Sequence, residues 1–349
     1  MDHRPASTGG TGRTGEPLSL EWRDPRGMVG LSLKILLFKI LTLGLYHFWG
    51  KAEVRRRLWN GIRLNGQPFE YTGTGRELFL GFLVASVVLF LPTMAYVVTL
   101  AFVFGPDSAE LDLFLVPLYV FFFFLSGVAI YRAMRYRLRR TRWRGIRGTL
   151  AGNPWKYGWT YFWTALLLPF TLGWSHPWRS VRLARMMTED MRFGDRPFSL
   201  DAEWKALLAP FAPFWLSFAA FMASVAAAFF MPVVGIPLAV LLFGVMVYAG
   251  LRYRAREMNY LTGRMRFGEA RFSLSATPGS LFRLYAGNLL IVLLSFGILA
   301  PVAVMRLFRY MVSRMGIDGH VDFASISQAT DGVGRTGEGL IEALDIDSF

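Results

Sequence analysis

The chain has 349 residues, of which 54% are hydrophobic, 16% aromatic and only 18% charged, which is too apolar for an ordinary soluble surface and favours a protein that faces lipid. The net charge of +14 is concentrated in Lys and Arg blocks beside long apolar runs, and this distribution fits anionic lipid headgroups better than nucleic acid. The absence of Cys excludes disulfides, thiolate catalysis and Cys-ligated metals.

The two ends of the chain differ from its apolar centre. The first thirty residues are rich in Gly, Thr, Arg and acidic residues and have no apolar stretch near the start, so we expect no cleavable secretory signal and a flexible tail over residues 1–30. Residues 324–349 are Gly-rich and carry five acidic residues against one Arg. This composition predicts a disordered acidic tail.

Four apolar stretches are long enough to cross a bilayer, which takes about 20 predominantly apolar residues. They form two pairs with short links, so the sequence predicts two antiparallel transmembrane hairpins. The stretches are 78–104, 111–131, 210–231 and 233–251.

Three weaker apolar segments lie outside these hairpins, at 31–49, 157–178 and 284–305. Each contains a helix-disturbing element near its end. These elements are Gly44 in the first segment, Pro169 and Gly173 in the second, and Gly297 and Pro301 in the third. If the segments dip into the membrane and return, the chain has four spanning helices; if they cross, it has seven.

Basic residues in the connecting loops bear on this choice, because Lys and Arg in short loops remain on the cytoplasmic side. Four connections are rich in Lys and Arg, whereas the link 105–112 contains none. The numbers of Lys and Arg are six in 51–76, nine in 132–156, six in 179–205 and seven in 252–283. We expect these loops and the C-terminus to be cytoplasmic. The second and third weak segments then have basic loops on both sides, which favours the re-entrant interpretation.

Self-comparison predicts an internal repeat. The stretch TLGLYHFW at 42–49 recurs as TLGWSHPW at 171–178, and the same offset carries Arg63 onto Arg192. Two further echoes link 191–200 to 265–274 and 135–139 to 252–256. We therefore divide the chain into membrane repeat 1 (31–156), membrane repeat 2 (157–283) and a partial third repeat (284–323).

A β-hairpin signal follows the first basic helix. Asn65 and Gly66 lie between two short alternating runs and form the favoured two-residue hairpin turn. The expected fold class is thus an all-α polytopic membrane protein with four clear transmembrane helices, three weaker or re-entrant segments, and short cytoplasmic β-hairpins.

These motifs resemble the YjgN family of bacterial inner-membrane proteins, a domain of unknown function. The resemblance covers about residues 31–323. It is carried by the TLGxxxxW element, the Arg-rich helices, the NGxPFxYxGT stretch that ends at Thr74, and RTRWRGIR at 140–147. It implies a multi-pass protein of the bacterial cytoplasmic membrane, but no chemistry, because the family has no assigned activity.

The Arg residues beside the apolar segments are the strongest chemical feature. Long basic side chains there reach the headgroup layer, so we expect them to contact anionic lipid or, alternatively, a phosphorylated ligand or acidic partner. The predicted contacts are Arg55, Arg56, Arg57, Arg135, Arg137, Arg139, Arg182, Arg185, Arg252, Arg254, Arg256, Arg306 and Arg309.

Two histidines occupy equivalent positions in the repeat motif. An interfacial role is favoured over a metal site or proton relay, because each lies next to a tryptophan and no metal-binding pattern accompanies them. The motif residues expected at the interface are Gly44, His47, Trp49, Gly173, His176 and Trp178. No cofactor is expected.

The sequence leaves two functions open and gives an enzyme the least support. By analogy with transporters built from internal repeats and broken helices, the leading interpretation is a transporter or channel for a small molecule, ion or lipid. The alternative is a non-transporting scaffold or sensor of anionic lipid. Membrane lipids, not nucleic acid, are the expected partners. The apolar stretches contain almost no ionisable residues, which argues against proton-coupled transport.

Overall fold

The computed structural model describes residues 16–105 and 108–321 together with 323 and 326. The predicted acidic tail lies outside the described residues apart from Ile326. The predicted N-terminal tail does not extend to residue 30, because strands β1 (Glu16–Pro17) and β2 (Leu20–Trp22) and the first turn of a helix occupy residues 16–30. Pairing of β2 with a later strand holds this segment in the fold.

In the described part of the chain, four helices are long and apolar enough to cross a membrane, and each contains one of the predicted stretches. Most of their side chains are exposed, as expected of lipid-facing helices. The first consists of α3 (Gly75–Ala85), a π-helical turn (Ser86–Phe90) and α4 (Leu91–Phe104), the second is α5 (Ala109–Arg139), the third joins a 3₁₀ turn (Trp204–Leu207) to α8 (Leu208–Phe230), and the fourth is α9 (Pro232–Gly263).

Each weak segment is broken into two short helices joined by a tight turn. The entering helices have 14, 17 and 17 residues. They are therefore about 21–26 Å long, less than the roughly 30 Å of a bilayer core. The three helical pairs are α1 (Met28–Leu41) with α2 (His47–Gly61), α6 (Pro154–Phe170) with α7 (His176–Glu189), and α10 (Pro278–Leu294) with α11 (Ala300–Arg314).

The same turn joins each pair. Two successive residues have positive φ, and the second is a glycine, which adopts this conformation without steric cost. The pairs are Leu43 and Gly44 (51° and 94°), Leu172 and Gly173 (48° and 85°), and Phe296 and Gly297 (49° and 80°). The large apolar residue at each tip is 72–95% exposed.

The chain reverses direction at each turn. In the first pair, Ile35 lies against Gly50, and Lys34 forms an ion pair with Glu53 at 3.2 Å, so positions equally far from the turn face each other. In the third pair, the Asn288 amide donates to the carbonyl of Ala303 at 3.0 Å, as expected for an interhelical contact. Both ends of each pair therefore lie on the same side, next to the strands.

Beneath the helices lies a set of short antiparallel hairpins. Asn65 and Gly66 both have positive φ and join the first two strands of the hairpin that we expected there. The hairpin strands are β3 (Ile62–Leu64), β4 (Gln67–Pro68), β5 (Glu70–Tyr71), β6 (Thr141–Trp143), β7 (Ile146–Leu150), β8 (Met191–Phe193), β9 (Arg196–Leu200), β10 (Met265–Phe267), β11 (Ala270–Leu274), β12 (Met315–Asp318) and β13 (His320–Val321).

The hairpins pair side by side into a β ring. Strands β5 to β12 form an eight-stranded antiparallel sheet in chain order, and β2, β3 and β4 form a second sheet. Only Phe69 separates β4 from β5, and β2 lies beside β12, so the strands form a nearly closed ring. The expected helical membrane protein is confirmed, and only the term all-α is too strict, because the expected hairpins join into a β structure beneath the helices.

Aromatic side chains hold the β ring together. Trp143 is 1% exposed, with its ring 6.1 Å from Phe193 and 4.7 Å from Phe323, and Phe198 lies 4.6 Å from Phe267. Hairpins this short are not stable alone, so this shared aromatic core provides the burial that they lack individually.

The hairpins also fix the register of the helices above them. Tyr136 and Arg140 stack at 5.7 Å in the last turn before β6, and Tyr260 stacks with Arg264 at 5.5 Å before β10. Equivalent positions should lie at the same distance from the strand that follows. The sequence echo between 135–139 and 252–256 does not meet this condition, because residue 139 lies two residues before β6 and residue 256 lies nine before β10. The two segments are therefore not equivalent in the structure.

Candidate functional site

The predicted Arg contacts lie on the helix segments that lead to the β ring, and together with nearby polar side chains they form what we call the polar layer. Most are exposed. The exposed ones are Arg56, Arg139, Arg182, Arg185, Arg252, Arg254, Arg256 and Arg309, and the partly buried ones are Arg55, Arg57, Arg135, Arg137 and Arg306.

Several of these arginines bind the protein itself. Arg135 donates to the carbonyl of Gly152, and Arg185 donates to that of Ala202, in each case 17 residues further along the chain. Asn259 makes the corresponding bond to Ala276 at 2.9 Å. These side chains tie a helix to the loop that follows its hairpin, which is a structural role in addition to the predicted lipid contact of the two arginines.

Other arginines join the ends of the fold. Arg309 on α11 forms an ion pair with Asp24, and Arg57 donates to the carbonyl of Gly27 at 3.0 Å. The indole of Trp22 also donates to Asp24, and these bonds outweigh partial burial and lower the pKa of the Asp24 carboxyl. The contacts fix the N-terminal segment to the last helix pair.

In the first half of the protein, the structure brings three cations together. Lys51 and Arg55 lie one turn apart on α2, and Arg137 on α5 is close enough for its charge to repel both of theirs. Arg55 donates to the Tyr71 hydroxyl at 3.1 Å. Among the described residues, no carboxylate lies within 4 Å of these cations. Burial, together with repulsion from Arg55 and Arg137, lowers the pKa of Lys51. We call Lys51, Arg55 and Arg137 the cationic cluster.

Packing of α2 against α5 positions this cluster. Ala52, Tyr71, Leu78 and Tyr136 form one buried hydrophobic cluster between α2, β5, α3 and α5. At the end of α2, the Trp59 indole donates to the Thr141 hydroxyl at 2.7 Å. Lys51 and Arg137 are the sequence neighbours of Ala52 and Tyr136, so burial of the two apolar residues brings the two cations to the edge of the same interface.

In the second half, a carboxylate is buried instead. Glu257 on α9 is 1% exposed and pairs with Arg254 at 2.6 Å. It also accepts hydrogen bonds from the hydroxyls of Ser180 and Tyr253. His176 Nδ1 lies 3.2 Å from the Tyr253 hydroxyl, which extends the network to α7. We call this set of residues the carboxylate network.

The network places the His176 imidazole near the ion pair of Arg254 and Glu257. Burial is the main cause that lowers the pKa of His176, and Arg179 and Arg254 lower it further, whereas Glu257 opposes the shift. The arrangement can store or pass a proton between the imidazole, the Tyr253 hydroxyl and the carboxylate.

Sequence reasoning missed Glu257 because residues 252–283 were interpreted as a cytoplasmic loop. Helix α9 instead continues to Gly263, so Glu257 lies on the same helix as the apolar stretch 233–251, six residues past its end. The signal was available, since Tyr253 and Arg254 lie four and three residues before Glu257, a spacing that places all three on one helical face.

The repeat-motif residues lie at the helical turns. Gly44 and Gly173 form the turns themselves, Trp49 packs 5.7 Å from Phe79, and Trp178 lies under the Arg182 guanidinium at 5.4 Å. The two histidines differ in surroundings. His47 is exposed, and partial burial and the nearby Lys39 and Lys51 lower its pKa, whereas His176 belongs to the carboxylate network.

Comparison with known proteins gives a family but no activity. The chain is 36% identical over 52 residues to the inner membrane protein YjgN of Salmonella typhimurium (strain LT2), a match that covers 15% of this chain and 13% of that relative. The aligned region is thus about one eighth of the length of that relative. No solved structure matches the chain.

A family model described as bacterial protein of unknown function (DUF898) matches residues 28–343, which include every helix of the described structure. The resemblance to the YjgN family is therefore confirmed, and the apolar helices agree with an inner-membrane relative. This chain belongs to the DUF898 family of bacterial proteins of unknown function.

Proposed function

We propose that this chain is a multi-pass protein of the bacterial cytoplasmic membrane that binds anionic lipid headgroups as a non-transporting scaffold. The carrying observation is the set of three helical pairs that reverse at an exposed apolar tip and return through a basic helix. Such a pair inserts its tip among acyl chains and leaves its cations at headgroup depth.

The proposed topology has four spanning helices and three re-entrant pairs, with the polar layer and the C-terminus in the cytoplasm. It is supported by the lengths of α1, α6 and α10 and by the position of both ends of each pair at the β ring. It also satisfies the excess of Lys and Arg in the four connections. The predicted internal repeat accounts for the recurrence of the pairs.

The arrangement of the spanning helices favours a scaffold over a transporter. Among the described residues, α5 packs mainly on α6, and α9 packs on α8 and α10, whereas the two spanning hairpins share no extensive contact with each other. A transporter builds its solute site between such elements at mid-membrane depth. Here, the space between the hairpins is left to lipid or to another molecule.

The experiment compares purified full-length protein in vesicles of neutral phosphatidylcholine and in vesicles that also contain phosphatidylglycerol or cardiolipin. We expect a higher thermal midpoint in the anionic vesicles, an effect that weakens with salt, and no permeability to protons, K⁺ or carboxyfluorescein. Equal midpoints in both vesicles, or flux above that of empty vesicles, would contradict the scaffold.

The carboxylate network favours a second candidate, the transport role that the repeat predicts. Glu257 lies past the apolar stretch of a spanning helix, where a buried carboxylate linked to an imidazole would form the cytoplasmic end of a proton pathway. If Glu257 serves such a pathway, wild-type vesicles will conduct protons and Glu257→Gln vesicles will not. Proton flux that is the same with and without Glu257 would remove this candidate.

A further inference from the structure

We propose that the cationic cluster is a specific binding site for a phosphate group. This inference deepens the proposed function. It rests on that function only for the source of the phosphate, which is an anionic lipid headgroup rather than a soluble ion. The polar layer as a whole attracts anionic headgroups, whereas Lys51, Arg55 and Arg137 select one phosphate at a defined position.

The charge balance around the cluster favours binding of an anion. Bringing three cations into a partly buried place is unfavourable unless a negative charge compensates them. The nearby carboxylates are already in use. Glu53 pairs with Lys34 at 3.2 Å and with Arg57 at 3.5 Å, and Glu77 pairs with Arg140 at 3.1 Å.

The donors of the cluster suit a tetrahedral oxyanion. Arg137 donates its Nε to the Ala133 carbonyl at 3.2 Å, and Arg55 donates one Nη to Tyr71 at 3.1 Å. These bonds orient both guanidinium groups and leave further N–H donors on each. A guanidinium presents parallel donors to two phosphate oxygens, and the three donors of a lysine ammonium reach a third.

The depth of the cluster fits a lipid headgroup. Arg137 lies four residues before β6 and Arg55 seven before β3, which places them about 6 and 10 Å from the ring along their helices. Lys51 lies one turn further from the ring. Trp49, 40% exposed, comes next towards the apolar turn. A phosphate held by the cations would leave its acyl chains beside that indole.

Only the first half of the protein carries the site. The 129-residue offset of the repeat places Ser180 and Ala184 where α2 has Lys51 and Arg55. The Ser180 hydroxyl is bonded to Glu257, so the equivalent position in the second half already faces a carboxylate and repels phosphate. The proposal therefore predicts one tightly held phosphate per chain.

The test uses full-length protein with Lys51→Gln, Arg55→Gln and Arg137→Gln combined. The matched control, Arg56→Gln with Arg252→Gln and Arg256→Gln, loses the same charge from exposed positions. Thermal midpoints in neutral detergent are measured against dioleoylphosphatidylglycerol and, separately, inorganic phosphate. We expect the cluster variant to need at least about tenfold more phosphatidylglycerol for half-maximal stabilisation, since losing one charge-assisted contact corresponds to roughly that factor. The control keeps the cluster and loses only general attraction to headgroups, so it should need far less additional lipid than the cluster variant.

The two probes distinguish the site from the proposed function. Equal lipid responses in the cluster variant and the control would overturn the site and leave a general anionic-lipid scaffold standing. Stabilisation of the wild type by inorganic phosphate but not by phosphatidylglycerol, lost in the cluster variant, would support the phosphate site and contradict the lipid scaffold. No response of the wild type to either probe would overturn both.

Two further variants distinguish loss of the site from misfolding of the protein. The swap Lys51→Arg with Arg55→Lys and Arg137→Lys keeps the charge, so it should retain most of the response. The single change Lys51→Gln relieves repulsion in the cluster and should fold at least as well as the wild type. If Lys51→Gln leaves the lipid response of a folded protein unchanged, the site as drawn is wrong.

Discussion

The two spanning hairpins have similar lengths but differ in how closely their helices pack. In the second hairpin, a Cβ on Gly235 would lie 2.4 Å from the Ala228 Cα, and the rings of Phe221 and Phe243 lie 5.7 Å apart. In the first hairpin, an open apolar groove of about 200 Å³ lies beside the π-helical turn and is lined by Ala85, Ser86, Leu89, Phe90, Thr93 and Phe122. The helices of the second hairpin are therefore the more closely packed.

The two halves of the protein also differ in how their buried charges are paired. In the second half, the buried carboxylate pairs with Arg254 and accepts hydrogen bonds from Ser180 and Tyr253, so its charge and lone pairs are satisfied internally. The first half leaves the cationic cluster without a carboxylate among the described residues. The two halves thus differ in how their charges are compensated: internally in the second, and by the proposed anion in the first.

Removal of the buried carboxylate should have the largest effect on stability, and it tests whether the second half is stabilised by its own contacts. We expect Glu257→Gln to lower the free energy of unfolding by about 1.5–3 kcal/mol, because it weakens charge-assisted hydrogen bonds in a buried place. Arg254 is 55% exposed and can turn to solvent, which keeps the loss below that of a fully buried pair. The measurement is unfolding in mixed micelles titrated with SDS.

The control for this change is Glu77→Gln in the first half. Glu77 and its partner Arg140 are 36% and 40% exposed, so this pair should contribute only about 0–1 kcal/mol. Equal losses for the two variants would mean that the halves do not differ in internal stability as proposed.

Glycine substitutions test the difference in packing. Gly235→Ala places a methyl group against the backbone of Ala228, so we expect a loss of about 1–3 kcal/mol in the same unfolding assay. Gly244→Ala on the same helix meets no atom within 4 Å and should be neutral or stabilising by up to about 1 kcal/mol. If both variants behave alike, the close approach of α8 and α9 does not contribute to stability.

Much of the helical architecture could be predicted from the sequence, because apolar length and glycine positions are local signals. The four spanning stretches, the breaks at Gly44, Gly173 and Gly297, and the turn at Asn65 all correspond to elements of the structure. The β ring could not be predicted, since pairs such as β7 with β8 and β9 with β10 join strands that are separated by whole helices.

The sequence predicted the site only as a class of residues, the arginines beside the apolar segments. The arginines could be identified as a class, but their individual contacts could not. Arg135 and Arg185 bond to backbone carbonyls, whereas Arg55 and Arg137 lie near Lys51, which was not among the predicted contacts. Glu257 was lost among many basic residues because hydropathy does not distinguish a buried helical carboxylate from one in a solvated loop. Both outcomes depend on tertiary contacts rather than on local sequence.

The smallest expected effect concerns the two equivalent histidines. The lowered pKa of His176 means that the unfolded chain binds a proton there at a higher pH than the folded protein does. Stability from neutral His176 is therefore fully present above the ordinary histidine pKa of about 6.5 and is lost as pH falls below it.

His176→Asn should flatten this fall in stability between pH 7 and 5, measured as thermal midpoints in detergent. His47 lies in a more exposed place beside Lys39 and Lys51, so repulsion there is screened by solvent and His47→Asn should alter the slope less. The opposite result would be a steeper fall of the thermal midpoint with pH in His176→Asn, or a larger change of that fall in His47→Asn. It would show that the acid sensitivity lies in the first half. Protonation would then act on the cationic cluster, where added positive charge favours anion binding, rather than on the carboxylate network, where it disturbs a bonded core.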